Sequence, residues 1–310
     1  MTYQPINWNR VEDPLDLDVW DRLTANFWLD TKVAVSNDMP AWKKLTEAEK
    51  LMVKKVFASL TLLDTLQSEI GARRMADDAV TQHEEAVFNN IAFMESVHAK
   101  SYSTIFSTLC STKEIDEILR WAEEDDLLQE QVTLIRNFYE VGSPGAAKVA
   151  SVFLESFLFY TGFFAPLKLA SEGCLTNTAD IIRLIMRDEG VHGFYIGHKY
   201  QRDCFDEGDA EGIRQFMHSL YAKELLRCQD IYDDVGWTED VKKYLRYNAN
   251  KALANLGVEP IFDPEHTDIP AYILSALDIS GSEAHDFFSG SGASYVVGKK
   301  ESTADDDWEW

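Results

Sequence analysis

The chain of 310 residues carries 53 Asp and Glu against 29 Lys and Arg, a formal net charge of −24. That field repels a phosphate backbone and no basic cluster interrupts it, which excludes direct binding of nucleic acid. With 45% hydrophobic residues, a chain of this length can bury a large core, so disorder over most of its length is excluded too. Cys110, Cys174, Cys204 and Cys228 are dispersed without a Cys-x-x-Cys spacing and read as reduced, buried thiols. Met1 to Arg10 has neither a basic flank nor an apolar leader segment, and no run is read as the ~18 apolar residues of a membrane span, so the expectation is a cytoplasmic protein with no membrane partner.

Helical periodicity dominates, and alternating strands with Asn-Gly or Asp-Gly turns are missing, so the fold is predicted to be all-α. A first helix is expected over about Leu17 to Trp28, then an irregular stretch through Val33, Ser36, Asn37 and Pro40. Thr46-Glu47-Ala48-Glu49 reads as a helix start, and the helix it opens carries Leu60, Leu63, Asp64 and Gln67. The next helix covers about Thr81 to Leu109 and turns Ile91, Ala92, Tyr102 and Ile105 inward. Ser111-Thr112 caps a charge-rich helix from Lys113 to Tyr139, closed by Gly142, Ser143 and Pro144, whose polarity puts it on the outside. Ala146 to Ala170 is apolar on nearly all sides and should run through the centre, with Glu155 the only acid in its apolar core. Asn177 or Thr178 starts a helix through Glu189 and His192 to about Cys204, and two more follow near Glu211 to Asp233 and Glu239 to Leu256. No linker divides these helices, so residues 1–280 are expected to form one domain. Residues 281–310 change to Gly, Ser and Ala and close on Asp305-Asp306-Asp307-Trp308-Glu309-Trp310, the composition of a flexible tail whose terminal tryptophans suit a partner-docking peptide.

Along this frame stand an acid, a Glu-x-x-His, a second acid and a second Glu-x-x-His: Asp64, Glu95 and His98, Glu155, Glu189 and His192. Residues i and i+3 share one helix face, about 4.5 Å apart along the axis, so each pair can present a carboxylate and an imidazole to one point. Two such helices and one acid from each of two others supply four carboxylates and two imidazoles, which balance two divalent cations and suit iron or manganese better than zinc. In so acidic a chain a Glu three places before a His also arises by chance. The weight therefore rests on context: both pairs lie in apolar helices, where acids are uncommon unless paired or liganded. Tyr102, four residues after His98, falls on the same helix face. Ordinary core packing and oxidation to a radical shielded by Phe159, Phe163 and Ile185 both stay open for it. Asp188, directly before Glu189, is positioned to reach an imidazole such as that of His98.

At these residues the chain resembles the small, radical-generating subunit of class I ribonucleotide reductase, and within it the class Ib type. The likeness covers nearly the whole chain and is most specific in Leu62-Leu63-Asp64-Thr65-Leu66-Gln67, in His83 to Phe88 with Phe93 to Tyr102, and in Arg187-Asp188-Glu189-Gly190-Val191-His192. It implies a ferritin-like helical bundle in which Asp64, Glu95, His98, Glu155, Glu189 and His192 hold dinuclear manganese or dinuclear iron and Tyr102 carries a tyrosyl radical. Trp28 would hand the radical out through Asp188 and His98, and Tyr295 in the tail would continue the path. The resemblance further implies a homodimer, a large catalytic subunit that reduces ribonucleotides and is docked by the tail, and a flavodoxin-like activator for the dimanganese form. The terminal Trp310 stands where Phe is expected. A ferritin-like storage protein and a bundle oxidase would share the ligand set, but neither needs Tyr102 or a docking tail.

Overall fold

The structure, a computed structural model, describes residues 4–275. The expected tail over 281–310, with Tyr295 and Trp310, lies outside the described residues.

Among the described residues the regular elements are helical. Helix α1 (Pro14–Ala25) begins where the Asp13 side chain accepts from the Leu15 N–H and Pro14 supplies a preset φ. It ends three residues before Trp28, so Trp28 sits in the connection beyond α1 and not inside the helix expected for it. The irregular stretch contains two 3₁₀ turns and the short α2 (Met39–Trp42). Helix α3 (Glu47–Leu66) opens on a capping box between Thr46 and Glu49, as its sequence requires. It continues into a π turn, Gln67–Gly71, and then α4 (Ala72–Asp77). Helix α5 (Gln82–Leu109) is capped by Thr81.

The single outer helix expected over Lys113 to Tyr139 is two. Helix α6 (Thr112–Glu124) stops at Asp125, which turns extended and uses its own carboxylate to cap the Leu128 N–H of α7 (Asp126–Val141). A charge-rich run hides such a break, because Asp competes for backbone donors as readily as it tolerates a helix.

The central apolar segment is α8 (Pro144–Phe153), a π turn over Leu154–Leu158 and α9 (Phe159–Ser171). By length and composition Pro144–Ser171 could cross a membrane, contrary to the reading of the sequence, but its most apolar window is wholly buried in the bundle. Phe153, Phe157, Phe159, Phe163 and Phe164 have no exposed surface, and each such side chain contributes roughly 1.5–3 kcal/mol of burial. Helix α10 (Thr176–Asp203) starts one or two residues before the expected Asn177 or Thr178, and its N-cap residue, Leu175, offers no side-chain cap. Asp38 supplies it from across the fold, accepting from the backbone N–H groups of Asn177 and Thr178. Helices α11 (Ala210–Tyr232) and α12 (Thr238–Asn255) complete the bundle. α10 and α12 meet at backbone distance: a Cβ on Gly197 would lie 2.2 Å from the Asn255 carbonyl oxygen. All four cysteines are free thiols, but only Cys228 is buried as expected; Cys110, Cys174 and Cys204 are partly exposed.

Candidate metal centre

Four segments bring the six candidate ligands into one buried cluster. Asp64 comes from α3, Glu95 and His98 from α5, Glu155 from the π turn between α8 and α9, and Glu189 and His192 from α10; none is more than 1% exposed. A π turn shifts the register of the helix beyond it by about one residue and is often found at functional sites. Here one contains Glu155 and the other begins three residues after Asp64.

Two overlapping nests result. Ligand atoms of Asp64, Glu95, His98 and Glu189 all lie within 4.8 Å of one another, and so do those of Glu95, Glu155, Glu189 and His192. Glu95 and Glu189 belong to both, so each could serve either of two ions. His98 Nδ1 stands 2.9 Å from Glu189 Oε1, and His192 Nδ1 stands 2.7 Å from Glu95 Oε1, so both imidazoles face the shared acids. Both oxygens of Asp64, Glu95 and Glu189, and Oε2 of Glu155, lack a hydrogen-bond donor. Buried carboxylates are otherwise hydrogen-bonded or paired, so this donor set fits a pair of hard divalent cations.

The electrostatics agree. Burial, followed by the charge of Glu95, pushes the Asp64 carboxyl well above its ordinary range, and burial with the charges of Glu95 and Glu155 does the same to Glu189. Burial also opposes ionisation of Glu95, but the His192 and His98 imidazoles overcome it and hold that acid down to about 2. His98 rises to about 10: burial disfavours its charge, and Asp188 and Glu95 more than offset that. Four acids in one cavity cannot all be ionised without cations beside them, and protons on the imidazoles are the substitute the protein itself offers.

Outside the ligands, Asp188 Oδ2 accepts from Trp28 Nε1 at 2.7 Å and faces His98 Nε2 at 3.2 Å. A proton on Nε2 leaves Nδ1 of His98 free for a metal, so Asp188 sets the useful tautomer. Trp28 is buried and stacks on His98, with ring centroids 5.8 Å apart and planes 21° from parallel. The loop bearing it is pinned from both sides, where Arg187 Nη2 donates to the Asn26 carbonyl at 2.7 Å and Asp30 accepts from Thr104 Oγ1 at 2.5 Å. Nothing in the sequence pattern signals either clamp. Tyr102 is fully buried against Phe57, with ring centroids 5.7 Å apart, and its hydroxyl has no hydrogen-bond partner. Burial and the charges of Asp64, Glu189 and Glu95 push the phenol well above its ordinary pKa, so it keeps its proton.

The family model for "Ribonucleotide reductase, small chain" matches residues 5–270. The chain belongs to the ribonucleotide reductase small-chain family. Relatives include the ribonucleoside-diphosphate reductase subunit beta of Mycobacterium leprae, 56% identical over 98% of this chain and 96% of that protein. The ribonucleoside-diphosphate reductase 2 subunit beta of Escherichia coli is 53% identical over 98% of each. Among solved structures, the dimanganese(II) NrdF of Streptococcus sanguinis matches with a TM-score of 0.84 at 49% identity, covering 89% of this chain and 100% of that one. The ferritin-like bundle expected from the resemblance is therefore the fold of this family member, and these NrdF likenesses put it in the class Ib branch.

Proposed function

We propose that this class Ib small subunit of ribonucleoside-diphosphate reductase holds its dinuclear manganese or iron centre through Asp64, Glu95, His98, Glu155, Glu189 and His192, and that Tyr102 stores the oxidising equivalent as a tyrosyl radical. The observation that carries the reading is the pair of four-ligand nests sharing Glu95 and Glu189. When bound and oxidised, the metal pair supplies a one-electron oxidant. The chain's residues do the rest. Asp64, Glu189 and Glu95 all act on the Tyr102 phenol, which ties that phenol to the first nest. Phe57 and the surrounding apolar wall exclude water and reductants from the ring. Asp188 holds the Trp28 indole and the His98 imidazole on one oxygen, a continuous contact from the cavity to the loop after α1.

Members of this family work with a large subunit and are typically dimers, so ribonucleotide reduction takes place on the partner. In this reading the protein is cytoplasmic and homodimeric, residues 1–280 generate the radical, and the 281–310 tail docks on the large subunit. Tyr295 continues the path from Trp28, and a flavodoxin-like activator delivers the oxidant to the dimanganese form.

The test is electron paramagnetic resonance after reconstitution with Fe(II) and oxygen, and separately with Mn(II), the activator and oxygen, each beside Tyr102→Phe. A tyrosyl signal coupled to the metals and lost in the variant is expected. A filled metal site with no radical under either condition would refute the reading and favour storage or oxidase chemistry.

A further inference from the structure

Of the carboxylate oxygens in the cavity, Glu155 Oε1 is set apart by a hydrogen bond to a neutral side chain that is not itself a candidate ligand: Gln67 Nε2 donates to it at 2.5 Å. The same nitrogen donates to Ser151 Oγ at 2.8 Å, and Gln67 Oε1 accepts from the Tyr139 hydroxyl at 2.7 Å. Gln67, Ser151, Tyr139 and Glu155 are all buried. A phenol donating to one end of the amide and a carboxylate accepting from the other select a single orientation, since the reverse would set oxygen against oxygen in a dry interior.

The backbone is shaped around this contact. Gln67 opens one π turn and Glu155 lies inside the other, so the hydrogen bond joins the two places where the long helices leave regular geometry. Room for it depends on Gly71, where a Cβ would lie 2.0 Å from Gln67 Oε1 and 2.8 Å from the Tyr139 ring. Alanine there would strike the amide and the phenol together.

We infer that Gln67 is a positioning residue for the metal pair. Anchored by Tyr139 and Ser151, its amide keeps Glu155 Oε1 out of the coordination sphere, so Glu155 meets its ion through Oε2 alone and that ion keeps a position open for an incoming ligand. The inference rests on Glu155 being a ligand, as proposed above.

The experiment titrates the full-length protein with Co(II) and with Mn(II) in the absence of any oxidant, comparing wild type with Gln67→Leu and Tyr139→Phe. Thermal melting of each metal-free variant checks folding. In Gln67→Leu, Oε1 is released to chelate, and the visible Co(II) bands of one of the two ions lose intensity as its coordination number rises. Loss of the orienting donor also weakens one Mn(II) equivalent by about tenfold, the usual scale for a partner that orients a ligand. Tyr139→Phe, which leaves the amide but unties it, moves both readouts the same way by less. Folded variants whose Co(II) spectra superimpose on wild type overturn the inference, as does an unfolded Gln67→Leu beside a Tyr139→Phe with the wild-type spectrum. A protein that takes up no Co(II) refutes the ligand assignment and this inference with it. Normal Co(II) binding here, beside no tyrosyl signal in the oxygen reconstitutions described above, refutes only the radical reading.

Discussion

Two buried clusters of acids in this protein solve the same electrostatic problem in opposite ways. Where α1 meets α10, Lys199 Nζ stands 2.8 Å from Asp13 Oδ2 and 2.5 Å from Asp16 Oδ1. Arg202 Nη1 adds a contact to Asp13 at 2.6 Å, and the Tyr195 hydroxyl donates to Asp16 at 2.8 Å. Those acids are neutralised by the chain's own cations. In the metal cavity four acids face two imidazoles and most of their oxygens have no donor at all. The first cluster joins helices; the second is a stored demand for positive charge that metal ions satisfy. A buried acid therefore carries opposite meanings according to what surrounds it, and the sign of its effect on stability tells the two apart.

The comparison is broken most severely by removing a shared ligand. Glu189→Ala takes a carboxylate from both nests, so Mn(II) uptake falls below two equivalents per chain and the tyrosyl signal drops to background; full uptake measured by metal analysis would contradict the shared-ligand assignment. Next in size, Lys199→Met leaves Asp13 and Asp16 without their shared cation and costs about 3–5 kcal/mol in chemical denaturation. A loss under 1 kcal/mol, the scale of an exposed pair, would mean the cluster is wetter than its burial indicates. The cavity responds with the reverse sign: in protein stripped of metal, Glu189→Gln replaces an acid that the fold must hold protonated, removes that cost, and stabilises the fold by about 1–3 kcal/mol. Destabilisation there would place Glu189 among the structural acids.

A titration also separates the clusters by pH. His98 has its folded pKa raised from 6.5 to about 10, so its contribution is fully present below 6.5 and is lost as pH rises through about 10. Asp64 and Glu189, raised acids, also make the folded state hold more protons than the unfolded, and they too lower stability as pH rises. Asp13 runs the other way. Against the cost of burial, its contacts with Lys199 and Arg202 depress its pKa, so its contribution is present above the unfolded value of about 4 and fades as pH falls below it. Metal-free protein should therefore melt at progressively lower temperature between pH 6.5 and 10, and Mn(II) loading should flatten that slope, because deprotonated ligands bind the ion more tightly. A melting temperature that stays level across that range without metal would rule out an exchange of protons for metal in the cavity.

Much of the site is legible in the linear chain because its chemistry is written at short range. Glu95 with His98, and Glu189 with His192, are i, i+3 pairs whose convergence comes from helix geometry alone, and Thr46 with Glu49 announces a helix start in the same local way. The failures are also local: Asp125 breaks a helix that its charged neighbours conceal, and Trp28 falls past the end of α1 because periodicity does not mark where a helix stops.

The sequence by itself determined the all-α architecture, the order of acids and imidazoles along it, and the apolar character of the segment that carries Glu155. Only the tertiary structure decided that Glu95 and Glu189 are common to both nests, that Asp38 caps α10, and that Gln67 stands between Tyr139 and Glu155. Gln67 and Glu155 are 88 residues apart, and Trp28 and Asp188 are 160 apart. Such contacts depend on how whole helices pack, which no spacing within one helix encodes, whereas a face repeating every 3.6 residues is set by the backbone wherever the helix lies.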